Sequence, residues 1–213
     1  MKLFLDTASL EDIRKYCALG VIRGVTTNPT LIARENGDFH AIIREIASVT
    51  DGPINAEVLA EDWEGMVREG EELAAVHPRV VVKIPMTAEG LRAVSTLAPR
   101  GVKTNMTLVF SAAQALLAAN AGASYVAPFV GRVDDIGYDG ITVIRDIAAV
   151  LSDGDFETQI VAASVRSPLH VVEAAKAGAH IATVPPKVIA QMIPHPLTEA
   201  GLKRFMDDWK KRA

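Results

Sequence analysis

One cysteine, Cys17, in 213 residues excludes an intrachain disulfide and gives no sign of an oxidising compartment. Its setting in Ile13-Arg14-Lys15-Tyr16-Cys17-Ala18 reads as the apolar side of a helix, so the thiol is expected to fill space. No apolar stretch of roughly 18 residues is present, which leaves no candidate for a membrane-spanning helix. The chain opens on the strand-like Lys2-Leu3-Phe4-Leu5 without a signal-type apolar segment, and a cytoplasmic location is expected. Basic residues are not in excess. Twenty-two Lys and Arg against 26 Asp and Glu give a net charge of -4, with no general pull toward nucleic acid or an anionic membrane. There is no Walker loop and no dinucleotide fingerprint. The five histidines, His40, His77, His170, His180 and His195, all fall away from predicted strand C-termini, and none has zinc-site spacing, so no metal and no cofactor are expected.

What is present is alternation. Short apolar runs at Lys2–Leu5, Gly24–Thr26, Ile54–Val58, Val80–Ile84, Gly101–Thr104, Tyr125–Ala127, Gln159–Ala162 and Ala179–Thr183 read as strands. Helical stretches such as Trp63–Val76, Thr87–Leu97, Ser111–Ala119 and Ile141–Leu151 separate them. Strands divided by helices imply parallel βαβ units, and eight units in 213 residues predict a closed (β/α)8 TIM barrel of the α/β class. An open doubly wound sheet would show a glycine-rich loop after its first strand, where this chain has Asp6-Thr7-Ala8-Ser9. No linker divides the chain, so one domain over 1–213 is expected. Leu202, Phe205, Met206 and Trp209 form one stripe of an additional amphipathic C-terminal helix, about 198–211. That helix either covers the barrel or docks on another subunit.

In such a barrel the chemistry lies where strands end. Lys83 ends the β-branched run Val80-Val81-Val82-Lys83-Ile84-Pro85, a strand apolar enough to be buried on both faces. A lysine there either reaches water or is held desolvated, and desolvation disfavours its charged form. A neutral amine can form a Schiff base with a carbonyl substrate. Other strand ends bring Asp6, Asn28, Glu57, Asn105, Thr107, Phe129, Arg132, Ser164 and Arg166. Only the eighth strand, running into Val184-Pro185-Pro186, reads as lacking polar chemistry. Ser9 is a better cap for the first helix than Asp6, which frees Asp6 for function. Asn28 before Pro29 is equally an ordinary turn residue, and Asn105 and Thr107 equally loop residues. Two arginines near neighbouring strand ends suit a bidentate anion clamp.

Gly24-Val25-Thr26-Thr27-Asn28-Pro29-Thr30, Val82-Lys83-Ile84-Pro85, Asn105-Met106-Thr107-Leu108-Val109-Phe110 and Ala127-Pro128-Phe129-Val130-Gly131-Arg132 together resemble the transaldolase family, in its small single-barrel branch. The resemblance covers essentially the whole chain. It implies a class I aldolase barrel that moves a dihydroxyacetone unit from a ketose phosphate (sedoheptulose 7-phosphate or fructose 6-phosphate) to an aldose phosphate (glyceraldehyde 3-phosphate or erythrose 4-phosphate). It implies no cofactor and a place in the non-oxidative pentose phosphate pathway. Lys83 would be the Schiff-base lysine and Asp6 the acid/base group. Glu57 would manage a catalytic water that Thr107 positions. Asn28 and Asn105 would hold substrate hydroxyls, and Arg132, Ser164 and Arg166 would form the phosphate pocket.

The related fructose-6-phosphate aldolases, which release free dihydroxyacetone, carry Gln at the position of Glu57 and Tyr at that of Phe129. Both residues here are of the transaldolase kind. Ala127 stands where larger family members have serine, which bears on substrate preference. The branch tends to form rings of five or ten subunits, so a homo-oligomer contacted by the C-terminal helix is expected. Two other classes remain to be distinguished: a metal-dependent phosphosugar isomerase or lyase using Asp6 and Glu57, and a non-catalytic sugar-phosphate binder.

Overall fold

A computed structural model of the chain describes residues 1–212. Eight parallel strands close into a barrel in sequence order, β1 (Lys2–Asp6), β2 (Ile22–Thr26), β3 (Ile54–Glu57), β4 (Val80–Pro85), β5 (Thr104–Val109), β6 (Tyr125–Pro128), β7 (Gln159–Ala162) and β8 (Ile181–Val184), with β8 pairing back onto β1. The helices between them are α1 (Leu10–Cys17), α2 (Pro29–Ile32), α3 (Phe39–Val49), α4 (Trp63–Val76), α5 (Ala88–Leu97), α6 (Ala112–Asn120), α7 (Val130–Asp135), α8 (Gly140–Asp153), α9 (Pro168–Lys176) and α10 (Pro186–Met192). A last helix, α11 (Pro196–Lys210), follows the closed barrel.

The helix starts are written locally. Ser9, Asp38, Asp62, Thr87, Ser111 and Ser167 each accept a backbone N–H from the first turn of the helix that follows. Each such cap stabilises its helix by about 1 kcal/mol. Ser9 takes this task at α1 and leaves Asp6 free, as expected.

Period-two alternation sorts the strand residues into two packings. Val80, Val82 and Ile84 of β4, with Met106 of β5 and Val126 of β6, face the helices and join one large aliphatic core. Inside the barrel Phe4, Ala127, Val161, Ala163 and Ile181 form a smaller separate cluster. Burying each large aliphatic side chain contributes roughly 1.5–3 kcal/mol. The Phe4 ring lies where a Cβ on Gly24 would sit, 2.7 Å from its Cε1, so the small residue in β2 makes room for the plug. Above that plug the barrel interior turns polar.

Two sequence expectations need correction. The fifth strand spans Thr104–Val109, not Gly101–Thr104, and Gly101 (φ +78°) ends a short 3-10 turn before it. Polar residues usually mark loops, but Asn105 and Thr107 face an enclosed interior in β5. The eighth strand is not without polar chemistry, because Thr183 points inward two residues after Ile181.

α11 starts at Pro196, whose missing N–H and fixed φ suit a first helical position. It buries no residue. Leu202, Phe205, Met206 and Trp209 are all exposed, so the helix does not cover the barrel. Among the described residues no helix is long and apolar enough to cross a membrane.

Candidate active site

Strand register brings the polar set together. Glu57 pairs with Lys83 across β3 and β4, and Lys83 with Asn105 across β4 and β5. Three side chains on adjacent strands therefore stand side by side at one level of the interior. Asp6 pairs with Thr26 on the other side.

Lys83 is 6% exposed. Its Nζ donates to the Thr27 carbonyl at 2.9 Å and lies 2.9 Å from Glu57 Oε2. A buried charge this well partnered is costly to leave alone, since removing one partner strands the other in a poor solvent. The lysine does not snorkel to water. Thr27 is itself tied down, its hydroxyl donating to the Asn55 carbonyl at 2.7 Å.

Asp6 lies across the same cavity. Its Oδ1 accepts from Thr26 Oγ1 at 2.8 Å. Burial pushes the Asp6 carboxyl above its ordinary value, against the opposing pull of the Thr26 hydrogen bond and of Lys83.

Asp6, Asn28, Lys83, Asn105, Thr107, Phe129, Arg132 and Ser164 share one cavity of about 160 Å³ with Thr26, Ala127 and Thr183. Glu57 borders an adjoining space of about 390 Å³ that shares Asn28, Lys83, Phe129 and Arg132 with the first. Volume alone does not pick this site. A cavity of about 440 Å³ lies at the opposite end of the barrel among Lys2, Arg23, Tyr125 and Gln159. It has no buried ionic pair.

The asparagines present opposite polarities. Asn28 caps α2, its Oδ1 accepting the Leu31 N–H at 3.0 Å, which leaves the amide N–H groups free to donate. Asn105 Nδ2 donates to Asn55 Oδ1 at 2.8 Å, and its own Oδ1 is buried without a partner. Thr107 Oγ1 is likewise buried and unpartnered. Buried polar atoms left unpaired by the protein are uncommon, and these two line the cavity, where they can bond a substrate. Asn28 therefore offers a donor, and Asn105 an acceptor.

Two backbone outliers frame the mouth. Leu108 (φ +58°) and Ser164 (φ +57°) hold left-handed conformations that L-residues rarely adopt. At Leu108 the β5–β6 register shifts, a bulge that carries the chain away from the sheet just after Thr107. Strain of this sort collects at functional sites.

Of the ten site residues expected from sequence, nine border these two spaces and Arg166 does not. Arg166 is exposed and forms a two-pronged ion pair with Asp135 of α7. This bond is also the main reason the Asp135 carboxyl is held below its ordinary value. The Arg166 stem lies against Gly131, where any Cβ would come within 2.6 Å of Nε. Arg132, by contrast, borders both spaces and stacks on Phe129 at 5.1 Å.

Thr26, Asn55 and Thr183 belong to the site and were not read from the sequence as site residues. Counting back two residues from Glu57 gives Asn55, and forward two from Ile181 gives Thr183. The alternation that defined the strands was enough to find both. Among the described residues, no group of three His, Cys, Asp or Glu side chains could hold a metal ion.

Residues 3–213 match the family model described as Transaldolase/Fructose-6-phosphate aldolase. The chain is 60% identical over 211 residues to a probable transaldolase of Thermoanaerobacter sp. (strain X514), covering 99% of this chain and 98% of that protein. With the probable transaldolases of Pelotomaculum thermopropionicum and Moorella thermoacetica the identity is 61% at the same coverage.

Proposed function

Since the chain belongs to the transaldolase/fructose-6-phosphate aldolase family, we propose that Lys83 is the amine through which it carries a dihydroxyacetone unit between sugar phosphates. The chain is an enzyme of the transaldolase type. One observation carries the assignment of Lys83: its Nζ sits between Glu57 Oε2 and the Thr27 carbonyl on the wall of a cavity lined by Asp6, Asn28 and Asn105.

The reaction would run as follows. Lys83 loses a proton, with Glu57 Oε2 within reach to accept it, and the amine attacks the ketose C2 carbonyl. The carbinolamine expels water to give an iminium, with Glu57 and Thr107 managing that water. Asp6 takes the proton from the C4 hydroxyl as the C3–C4 bond breaks. The bonding pair flows into the iminium to leave an enamine, and the C4 carbon departs as an aldehyde. A second aldose phosphate enters, and the same steps run in reverse, Asp6 returning its proton to the new alkoxide.

The geometry supports these roles. Asn28 can donate to one oxygen of the three-carbon unit while Asn105 accepts from a hydroxyl, which holds the fragment between the two aldehydes. A small cavity of about 160 Å³ leaves little room for water beside a bound substrate, which favours transfer over hydrolysis. Glu57 and Phe129, both of the transaldolase kind, support transfer over release of free dihydroxyacetone. Ala127 adds only a methyl group to the wall.

For the phosphate we propose Arg132 and Ser164 as the standing contacts, with Arg166 recruited from Asp135. An exposed ion pair contributes little. A phosphate dianion offers the guanidinium a stronger two-pronged partner. Lying after β6 and β7, this pocket departs from the more usual place after strands 7 and 8.

The exposed apolar stripe of α11 supports a homo-oligomer in which the helix packs on a neighbouring subunit, and the free thiol of Cys17 accords with a cytoplasmic location. The test of function is transfer itself. With fructose 6-phosphate and erythrose 4-phosphate together, the protein should form sedoheptulose 7-phosphate and glyceraldehyde 3-phosphate, unaffected by a chelator. Activity lost to the chelator, or free dihydroxyacetone as the main product, would overturn this reading.

A further inference from the structure

Thr183 is buried at 4% exposure, and its hydroxyl lies 2.5 Å from Thr26 Oγ1. Thr26 Oγ1 is in turn 2.8 Å from Asp6 Oδ1. Each threonine has one hydroxyl proton, and an ionised carboxylate has none to give. When Asp6 is ionised, the Thr26 proton must therefore point at Asp6, and the contact with Thr183 can be a hydrogen bond only if Thr183 donates to Thr26. The order Thr183 to Thr26 to Asp6 follows from counting protons.

We propose that Thr183 is a positioning residue for Asp6. It acts through Thr26 to pin Oδ1 and leave Oδ2 as the oxygen that exchanges the substrate proton. Among the described residues Asp6 has no other hydrogen-bond donor, so this chain alone fixes the turn of the carboxylate about its Cβ–Cγ bond. Hydrogen bonds in series polarise one another, so a donor into Thr26 makes the Thr26 hydroxyl a better donor to the anion. The three residues come from β8, β2 and β1, which are neighbours in the closed barrel, so the device exists only once β8 has closed onto β1. The charged groups facing Asp6 are Lys83 of β4 and Glu57 of β3, with Arg132 of α7 on the same cavity. None of them hydrogen-bonds to Asp6. The proposal rests on Asp6 being the acid/base group of the transfer reaction, and the test separates the two claims.

The experiment is a pH profile of kcat/KM for the transfer reaction in wild type, Thr183→Val, Thr183→Ser, Thr26→Val and the Thr26→Val/Thr183→Val pair. Asp6 must be ionised to act as base, so activity rises with pH through its titration. Losing the donor raises the pH at which Asp6 ionises, and the acid limb of Thr183→Val should move up by roughly 0.2–0.5 pH unit. At pH values on that limb kcat/KM should fall roughly 1.5- to threefold. Thr183→Ser keeps the hydroxyl and should restore the wild-type midpoint, which no loss of packing alone would reproduce. Because Thr183 acts through Thr26, the Thr183→Val shift should vanish in the Thr26→Val background. An unmoved acid limb in Thr183→Val, or a full additional shift in the double variant, would overturn the proposal. If wild type itself shows no transfer, the functional reading fails first.

Discussion

Replacing Lys83 with methionine keeps the length of the stem and removes the charge, which turns the ion pair at the cavity wall into a stability measurement. Lys83 and Glu57 have side-chain exposures of 8% and 14%, so both are largely out of water. Deleting one partner of such a pair typically costs about 3–5 kcal/mol, because the remaining charge is left in a poor solvent. Glu57 keeps access to the adjoining space, which argues for the lower end, while the bared Thr27 carbonyl adds about 1 kcal/mol. We expect Lys83→Met to lose about 4 kcal/mol, a fall in Tm of roughly 8–16 °C for a chain of this size. Adding Glu57→Met removes the stranded carboxylate, and the pair of substitutions should recover to within about 1 kcal/mol of wild type. Both variants should be inactive. Urea unfolding of wild type, the two single variants and the pair at one fixed protomer concentration gives the four stabilities and the coupling between the sites. If Lys83→Met were as stable as wild type, or if Glu57→Met restored nothing, the pair would not be the buried, mutually dependent unit described above.

Three further outcomes are expected. Burial raises the Asp6 carboxyl in the folded state, so its ionised form destabilises the fold at neutral pH. Asp6→Asn should thus melt higher than wild type at pH 7, with the gap closing as pH falls toward the ordinary carboxylate value; a gap that is absent or widens on acidification would contradict the sign. Arg132→Ala should raise the KM for a phosphorylated donor about tenfold, and Asp135→Asn should change it no more than about twofold, which steady-state kinetics on fructose 6-phosphate would test. Finally, Glu57→Gln with Phe129→Tyr should increase free dihydroxyacetone relative to transferred product. An unchanged ratio would mean that these two positions do not set the choice.

The barrel was legible because its rhythm is local. Each apolar run is followed by a capped amphipathic helix, and eight such units in a chain of this length leave few other closed arrangements. The fifth strand was misplaced for an informative reason. Its inward residues Asn105 and Thr107 are polar and line the candidate site's cavity, so the strand reads as a loop. Thr183 escapes a reading of strand ends in the same way, because it is the last inward residue of β8 and the Val184-Pro185-Pro186 that follows is apolar. The pairing of Lys83 with Glu57 could not be read from spacing alone, because register across β3 and β4 decides which side chains meet. Arg166 is the opposite case. Its place after β7 suggested a clamp, but Asp135, six residues beyond Phe129 on a helix the sequence reading did not resolve, holds its guanidinium in this structure.

The most direct test of the account is the intact mass of wild type and Lys83→Ala after fructose 6-phosphate and borohydride. Borohydride reduces an iminium to a stable amine, so a nucleophilic Lys83 predicts one dihydroxyacetone-sized adduct on wild type and none on the variant. An adduct that survives in Lys83→Ala would place the nucleophile elsewhere. No adduct on an active wild-type protein would remove the Schiff base altogether.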